Sequence, residues 1–164
     1  MDAEGIKTLV NLQLDKAHKF LNQADEMYSM RYWDLAANRY YYACYHAVQA
    51  LFIAKGLPAT KKHSGTVTQF SLHFVKSGKV ETIYGSFLAR MMQLRQKADY
   101  NCAYNISEKD LVEQVSLSKD FIKRIEELLV DLQYWSSNMG VTFNDTFCYL
   151  CLRNPNIGKY RTLL

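Results

Sequence analysis

The sequence predicts an all-α fold, and three observations support this class. Five segments between residues 6 and 132 repeat apolar residues at the three-and-four spacing that forms one face of a helix. No stretch in this range alternates polar and apolar residues for long enough to predict a strand. With 164 residues, 49% of them hydrophobic, the chain can bury a core as one domain without metal or disulfide support.

The first two predicted helices differ in how much of their surface is apolar. The first, at about residues 6–30, carries a single apolar stripe. The second, at about residues 32–55, is apolar nearly all round, which a helix tolerates only where neighbours cover most of its surface. Gly56 ends it, with Pro58 just beyond. We therefore expect the second helix to lie at the centre of the fold.

Three further helices are predicted after an exposed connection. The third is short and ends at Gly78, and the fifth begins after Ser107, a helix cap with Asp110 three positions later. These helices cover about residues 65–76, 80–100 and 108–132. The helical domain is thus expected at residues 6–132, and residues 133–164 form a C-terminal extension to which the sequence assigns no structure.

Composition excludes several classes of function. The formal charge of +4 permits a nucleic-acid partner without requiring one. No apolar stretch is long enough to cross a bilayer and no signal segment is visible, so we expect a cytoplasmic protein with reduced thiols. Cys148 and Cys151 have the spacing of a zinc or redox pair, but no second pair completes it. We expect no metal and no cofactor.

The segment NRYYYACYH, residues 38–46, places Arg39 and His46 in the most apolar part of the chain. On a helix the two lie about 20° from one another and about 10 Å apart along the axis. A buried guanidinium is unfavourable unless paired, so Arg39 either meets a carboxylate or lines a site. His46 is either a hydrogen-bonded core residue or part of that site. The tyrosines, including Tyr42, cannot all point inward, so some must face another helix, a second subunit or a ligand.

A second polar segment, RQKADY, ends the fourth predicted helix with Arg95, Asp99 and Tyr100. Arg95 and Asp99 lie four residues apart, and they either form an ion pair along the helix or line a cleft. The order of Arg before Asp is the less favourable one for the helix dipole, so stabilisation of the helix alone explains the pair poorly. His63, beside two lysines, is either part of a solvated charged loop or a phosphate contact.

Four segments together resemble the HEPN domain family, in particular the bacterial and archaeal branch often encoded beside small nucleotidyltransferases. They are WDLAANRYYYACYHAVQALFIAKGL, KKHSG, FVKSGKV and RQKADY. The resemblance covers about residues 6–132. It implies an antiparallel up-and-down bundle of four to five helices, usually a homodimer, with a cleft between subunits in which nucleotides or RNA are handled.

The resemblance also implies where site residues lie. Arg39 and His46 would face the cleft or the dimer seam, residues at the end of helix four would approach from the other side, and His63 matches the loop histidine of the family. We assign ligand binding to Arg39, Tyr42, His46, His63 and Tyr100, and catalysis, if any, to Arg95 and Asp99.

One departure from the family concerns catalysis. HEPN ribonucleases carry an arginine and a histidine with four to six residues between them, whereas the matching positions after Arg95 hold Tyr100, Asn101 and Cys102. Metal-independent RNA cleavage needs a proton acceptor for the 2'-hydroxyl and a cation beside the phosphate. Asp99 could accept a proton, but its neighbour Arg95 should keep it a weak base. The resemblance therefore does not by itself imply an enzyme.

We expect a nucleotide- or RNA-binding HEPN domain of a nucleotidyltransferase-linked or toxin-antitoxin system, a homodimer with weak or no nuclease activity. On this view Arg39 and Arg95 face one hollow, where an anionic ligand neutralises them. One alternative is a metal-independent endoribonuclease that uses Arg95 and Asp99 or His46. The other is a non-catalytic adaptor whose tyrosine face docks a partner protein.

Overall fold

The computed structural model describes residues 2–58, 60, 62–101 and 103–131. These residues form five α-helices and no strand: α1 (Ala3–Ser29), α2 (Trp33–Ala54), α3 (His63–Phe70), α4 (Thr82–Tyr100) and α5 (Glu108–Asp131). A π-helical segment, Ser71–Val75, continues α3. The predicted all-α bundle is confirmed for this part of the chain, and the extension predicted at residues 133–164 lies outside it.

α2 is the central helix, as its sequence predicts. It packs against α1, α3, α4 and α5, and twelve of its 22 residues are buried, among them Tyr40, Tyr41, Leu51 and Phe52. Burial of such apolar surface stabilises the fold by about 25 cal/mol for each Å² removed from water. The same burial obliges every polar group on α2 to find a partner on a neighbouring helix.

Three of the helices end in left-handed residues. Gly56 follows α2 with a φ of 65°, and Gly78 follows the π-helical segment with a φ of 74°. The N–H of Leu57 donates to the Phe52 carbonyl at 2.9 Å, the long hydrogen bond of a Schellman motif. Both glycines thus end helices as predicted. α1 ends in the same way, but with Arg31 at a φ of 62°.

The loop before α5 is fixed by the predicted cap. The Ser107 N–H donates to Asp110 Oδ2 at 2.9 Å, and the Ser107 hydroxyl donates to the same oxygen at 2.7 Å. The Tyr104 hydroxyl donates to Asp110 Oδ1 at 2.8 Å. The Ser107 hydrogen bonds, followed by that of Tyr104, lower the pKa of Asp110. Asp34 of α2 accepts the Ile106 N–H at 3.2 Å, which ties this loop to the central helix.

Phe20 of α1 is held between Arg39 and His46 of α2. Its ring stacks on the His46 imidazole at 5.4 Å with an interplanar angle of 2°, and the Arg39 guanidinium carbon lies 5.1 Å from the ring centroid. Two helical turns, about 10 Å of rise, separate Arg39 from His46, so a ring that contacts both fills the gap between them. His46 Nδ1–H donates to Gln13 Oε1 at 2.7 Å. These two residues therefore fasten α2 to α1.

Tyr40 is the fully buried member of the tyrosine segment with the clearest structural role. Its hydroxyl donates to Asp25 Oδ1 at 2.6 Å, and Lys119 of α5 lies 2.9 Å from the other Asp25 oxygen. Burial and this hydrogen bond raise the pKa of Tyr40, so the hydroxyl stays protonated. Tyr40 thus links α2 to α1 and, through Asp25, to α5.

The left-handed helix ends predict a pair of stability changes with opposite signs. Gly56→Ala should lower the free energy of unfolding by about 1 kcal/mol because L residues are strained there. A Cβ at position 56 would meet nothing within 4 Å, so the backbone angle alone produces the loss. Arg31→Gly should raise the free energy by about 0.5–1 kcal/mol because it removes the same strain. Urea unfolding followed by circular dichroism measures both, and changes of the same sign would contradict this account.

His46 should make the fold sensitive to mild acid. Burial, followed by the positive charge of Lys16, lowers the pKa of His46 to about 4, against about 6.5 in an unfolded chain. Between these values the unfolded state binds more protons than the folded state, so stability falls as the pH drops below about 6.5. The full effect is of the order of 3 kcal/mol and is complete near the folded pKa.

The measurement is the free energy of unfolding in urea at about pH 7.5, 6.0 and 5.0, for the natural protein and for His46→Gln. The difference between the two proteins cancels the other titrating groups. The natural protein should lose more stability on acidification than the variant does. Parallel pH profiles would show that His46 titrates normally in the folded state.

Candidate functional site

Arg95, near the end of α4, faces the tyrosines of α2. Its Nη2 donates a hydrogen bond to the Tyr42 hydroxyl at 2.9 Å, and its Nε lies 2.8 Å from Asp99 Oδ2. Asn38 of α2 donates from Nδ2 to the other Asp99 oxygen at 2.9 Å. The ion pair considered from the sequence is therefore present along α4, and hydrogen bonds extend it across to α2.

The Arg95 guanidinium keeps donors that the described residues do not use. The contact of Nε with Asp99 has the distance of an ion pair but lacks hydrogen-bond geometry, so the buried Nε–H finds no acceptor in this part of the chain. We interpret that contact as an attraction between charges. Among the described residues, Tyr42 alone accepts a hydrogen bond from the guanidinium. Of the five N–H donors of a guanidinium, the Nε–H is buried and one Nη2–H is used by Tyr42. The remaining donors on Nη1 and Nη2 are those that water or a ligand can meet, on a side chain that is 11% exposed.

Two aromatic rings flank the Arg95 guanidinium. Its central carbon lies 5.5 Å from the ring centroids of both Tyr42 and Tyr100, within the range of cation–π contacts. Burial acts to lower the pKa of Arg95, but the Tyr42 hydrogen bond and the Asp99 carboxylate outweigh it and raise the pKa. Tyr100 is 73% exposed. Arg95 is therefore a permanent cation beside an aromatic ring that is open to solvent.

His63 joins these residues from the start of α3. Its Nδ1 lies 2.9 Å from the Tyr41 hydroxyl, and its ring lies 5.7 Å from that of Tyr42. Burial lowers the pKa of His63, the positive charge of Arg95 lowers it further, and Asp99 acts in the opposite direction. His63 is therefore a neutral imidazole near pH 7, oriented by Tyr41. We call this group the Arg95 cluster: Asn38, Tyr41, Tyr42, His63, Arg95, Asp99 and Tyr100.

Arg39 lies in a separate open hollow between α1 and α2. The hollow has a volume of about 480 Å³ and is lined by Asp15, Lys16, Lys19, Phe20, Gln23 and Arg39. We call it the Arg39 hollow. Arg39 thus lines a concavity, with its guanidinium over the Phe20 ring.

Ring contacts connect the Arg39 hollow to the Arg95 cluster. Phe20 lies 5.1 Å from the Arg39 guanidinium carbon and 5.9 Å from the Tyr42 ring. The Tyr42 ring lies 5.5 Å from the Arg95 guanidinium carbon. The two arginines that were expected to face one hollow are therefore neighbours separated by Phe20 and Tyr42. Ligand binding by either arginine stays a prediction.

His46 is buried, and its contacts are with neighbouring side chains of α1 and α2. It is 9% exposed, its Nδ1 is used by Gln13, and its ring contacts those of Phe20 and Tyr45. None of its contacts within the described residues is with Arg95 or Asp99. Of the two interpretations that the sequence left open for His46, this geometry favours the hydrogen-bonded core residue.

Sequence reasoning did not assign three of the residues that build this region. Asn38 precedes Tyr42 by four residues, so the helix period places both on one face, and that signal was present. Tyr41 meets His63 only because the chain returns after α2, which no local pattern reveals. Phe20 is one of several apolar residues of α1, and nothing in the sequence around it indicates its contacts with α2.

Two absences hold for the described part of the chain. Residues 2–58, 60, 62–101 and 103–131 contain no group of three or more His, Cys, Asp or Glu side chains placed to hold a metal ion. Within the same ranges, no helix is long and apolar enough to cross a membrane. Cys44 is a buried free thiol, whereas Cys148 and Cys151 lie outside these ranges.

Comparisons with known proteins give one family. The family model described as the HEPN domain matches residues 10–128. A UPF0332 protein of Thermotoga maritima is 39% identical over 98 residues, which cover 60% of this chain and 74% of that protein. A Methanocaldococcus jannaschii protein named "Putative toxin MJ0605" is 30% identical over 127 residues, or 77% of this chain and 93% of its own. Another, "Putative toxin MJ0142", is 26% identical over 117 residues, or 71% and 79%.

The family match extends from α1 into the last turns of α5, so it includes the whole Arg95 cluster and the Arg39 hollow. The alignment with the first of the two archaeal proteins covers nearly all of that relative's length. This chain belongs to the HEPN domain family.

Proposed function

We propose that this chain binds RNA or a nucleotide through the Arg95 cluster, as the toxin-type member of a toxin-antitoxin or nucleotidyltransferase-linked pair, with weak or no nuclease activity. Membership of the HEPN family supports a ligand that contains nucleotides. Two archaeal relatives have names that include the word toxin, which supports the type of system.

The observation that carries this proposal is the combination of Arg95 with Tyr100. Arg95 is a cation whose guanidinium donates a single hydrogen bond within the described residues, and a guanidinium matches the geometry of a phosphate. Tyr100 is largely exposed beside it, and bases of single-stranded RNA stack on such rings. One nucleotide therefore fits this pair, with its phosphate on Arg95 and its base on Tyr100.

Weak nuclease activity is supported by how Asp99 and His46, the two bases expected from the sequence, are held. Both Asp99 oxygens are engaged, one by Arg95 and one by Asn38, so accepting a proton would disrupt those contacts. His46 is buried and bonded to Gln13. Neither residue is free to take a proton from a 2'-hydroxyl, which metal-independent cleavage requires.

The assembly is also part of the proposal. We propose a cytoplasmic homodimer with a nucleotidyltransferase as partner protein, in keeping with the family resemblance. Met30, Tyr32 and Leu35, around the turn between α1 and α2, are each more than half exposed, and large exposed apolar side chains favour association. Light scattering after size exclusion measures the mass, and a monomer at all concentrations would remove the homodimer from the proposal.

Arg95→Ala should weaken binding of a fluorescent single-stranded RNA by about 10- to 100-fold, the effect of losing a charge-assisted hydrogen bond. Fluorescence anisotropy measures the dissociation constant. Arg90→Ala is the matched control, because Arg90 is an exposed arginine of the same helix and its loss changes the net charge equally. If both variants weaken binding equally, the loss of one positive charge explains the effect of Arg95→Ala, and Arg95 has no specific contact with the RNA. If the natural protein binds no RNA or nucleotide but binds a partner protein, the adaptor interpretation replaces this proposal.

A metal-independent endoribonuclease is the second candidate, and His63 is the observation that favours it. His63 is neutral near pH 7 and close enough to Arg95 for its pKa to respond to that charge. A neutral imidazole and a guanidinium are the two groups that such cleavage needs. Because the hydrogen bond with Tyr41 uses Nδ1, Nε2 is the nitrogen that would meet a substrate. It accepts a proton only in the tautomer in which Nδ1–H donates to the Tyr41 hydroxyl.

Incubation of RNA with EDTA distinguishes the two candidates. The binding proposal predicts that cleavage by the natural protein is weak or absent and does not depend on both Arg95 and His63. If the natural protein cleaves and both Arg95→Ala and His63→Gln abolish cleavage, the nuclease takes its place. Since the pKa of His63 is lowered, activity that depends on its neutral form should persist at pH 6.5 and decline only at lower pH. Loss of activity centred above pH 6.5 would exclude His63 as the base.

A further inference from the structure

We propose that the Arg39 hollow is a second phosphate subsite, which holds the backbone of the same RNA strand that the Arg95 cluster binds. This assignment rests on the proposed function. It adds a second binding location and a path for the strand, which runs from the end of α4 across α2 to α1. The group recognised is the phosphodiester, without regard to the base.

Charge is the first support for the subsite. Lys16, Lys19 and Arg39 bring three cations to the hollow against the single carboxylate of Asp15. Among the described residues, no ion pair joins any of the three cations to a carboxylate. Lys16 also contributes to the lowered pKa of His46, so its charge acts on the α1–α2 contact. A concavity with this balance attracts anions.

The position of Arg39 is the second support. Its guanidinium lies over the Phe20 ring, and Phe20 itself stacks on the His46 imidazole. A guanidinium that rests on a ring keeps its N–H edge free to donate. Its orientation is therefore fixed before a ligand arrives, which reduces the entropy lost on binding.

The same contacts decide which part of RNA fits. The Phe20 ring already contacts the Arg39 guanidinium and the His46 imidazole, so a base that stacked on it would compete with those contacts. The other lining residues are Asp15, Lys16, Lys19 and Gln23. The two lysines and the glutamine carry N–H donors for phosphate and ribose oxygens, and Asp15 is outnumbered by the cations. The hollow is therefore suited to the backbone, whereas base stacking belongs to Tyr100 in the Arg95 cluster.

Continuity with the Arg95 cluster is the third support. Phe20 and Tyr42 are in ring contact at 5.9 Å and are the only side chains needed to connect Arg39 with Arg95. A strand anchored at Arg95 thus reaches Arg39 within a few nucleotides. A mononucleotide bound at Arg95 does not also occupy the Arg39 hollow. A comparison of a mononucleotide with a longer RNA therefore tests the subsite.

The experiment measures how RNA affinity depends on salt. For single strands, the slope of log K against log salt concentration falls by about 0.7 for each phosphate contact that is lost. The double variant Lys16→Gln/Lys19→Gln should lower the slope for a labelled 12-nucleotide RNA by about 1.4. The affinity for AMP and its dependence on salt should not change in this variant, because a mononucleotide does not extend to the hollow.

The matched control is Lys76→Gln/Lys79→Gln, which removes two exposed lysines that follow α3. It changes the net charge equally and should leave the 12-nucleotide slope within about 0.3 of the natural value. A slope that falls equally in both double variants overturns the subsite, as does an unchanged slope in Lys16→Gln/Lys19→Gln. So does a loss of AMP affinity as large as the loss for the longer RNA.

Failure of the subsite and failure of the proposed function give different results. If Arg95→Ala weakens RNA binding while the hollow variants behave like their control, the Arg95 cluster binds RNA and the hollow does not. If neither RNA nor AMP binds the natural protein, the proposed function fails and the subsite with it. Circular dichroism melting of each variant verifies folding, which surface Lys→Gln changes should leave intact.

Discussion

Burial of α2 on nearly all sides is the constraint on which the rest of the structure depends. A helix placed among four others cannot leave a hydroxyl, amide or imidazole without a partner, because an unsatisfied buried polar group costs about 1–3 kcal/mol. α2 nonetheless carries Tyr40, Tyr41 and His46. Each is bonded to a different part of the chain, Asp25, His63 and Gln13 respectively. These polar contacts are therefore required by the burial of α2.

The candidate site lies where this network reaches solvent. Tyr42 is only partly buried and bonds to Arg95, and Asn38 bonds to Asp99. These contacts satisfy α2, and they also hold the Arg95 cation beside the exposed ring of Tyr100. The described residues of α2 accept only one hydrogen bond from Arg95, so they leave its other donors unused. The contacts that satisfy α2 and the proposed ligand contacts thus involve the same side chains.

Local patterns predicted the helices and their ends, because these depend on residues close in sequence. Gly56 and Gly78 adopt the left-handed angles that helix ends require, and Asp110 accepts from the Ser107 N–H as in a capping box. Gly85 shows the limit of such reasoning. A glycine inside a helix costs about 1 kcal/mol relative to alanine, but a Cβ at position 85 would lie 3.2 Å from Val75 Cγ2, so its absence allows the close contact of α4 with the π-helical segment. That contact follows only from tertiary packing.

The same limit separates the predictable part of the candidate site from the rest. The helix period and the family resemblance together selected Arg39, Tyr42, Arg95 and Asp99. The structure brings Tyr42, Arg95 and Asp99 together and places Arg39 on the other side of Phe20. Phe20 decides this arrangement, and its contacts depend on how α1 crosses α2. No single stretch of sequence contains that information.

The polar side chains of α2 also determine how this helix is rotated about its own axis. An apolar cylinder rich in alanine would accept several rotations of similar energy. Turning α2 by one residue, about 100°, would detach Tyr40 from α1, Tyr41 from α3 and Tyr42 from α4 at once. Specificity of this kind comes from a small number of directional bonds rather than from the apolar contacts that hold the bundle together. The hydrogen bonds of α2 therefore fix one rotational alignment between this helix and the helices packed against it.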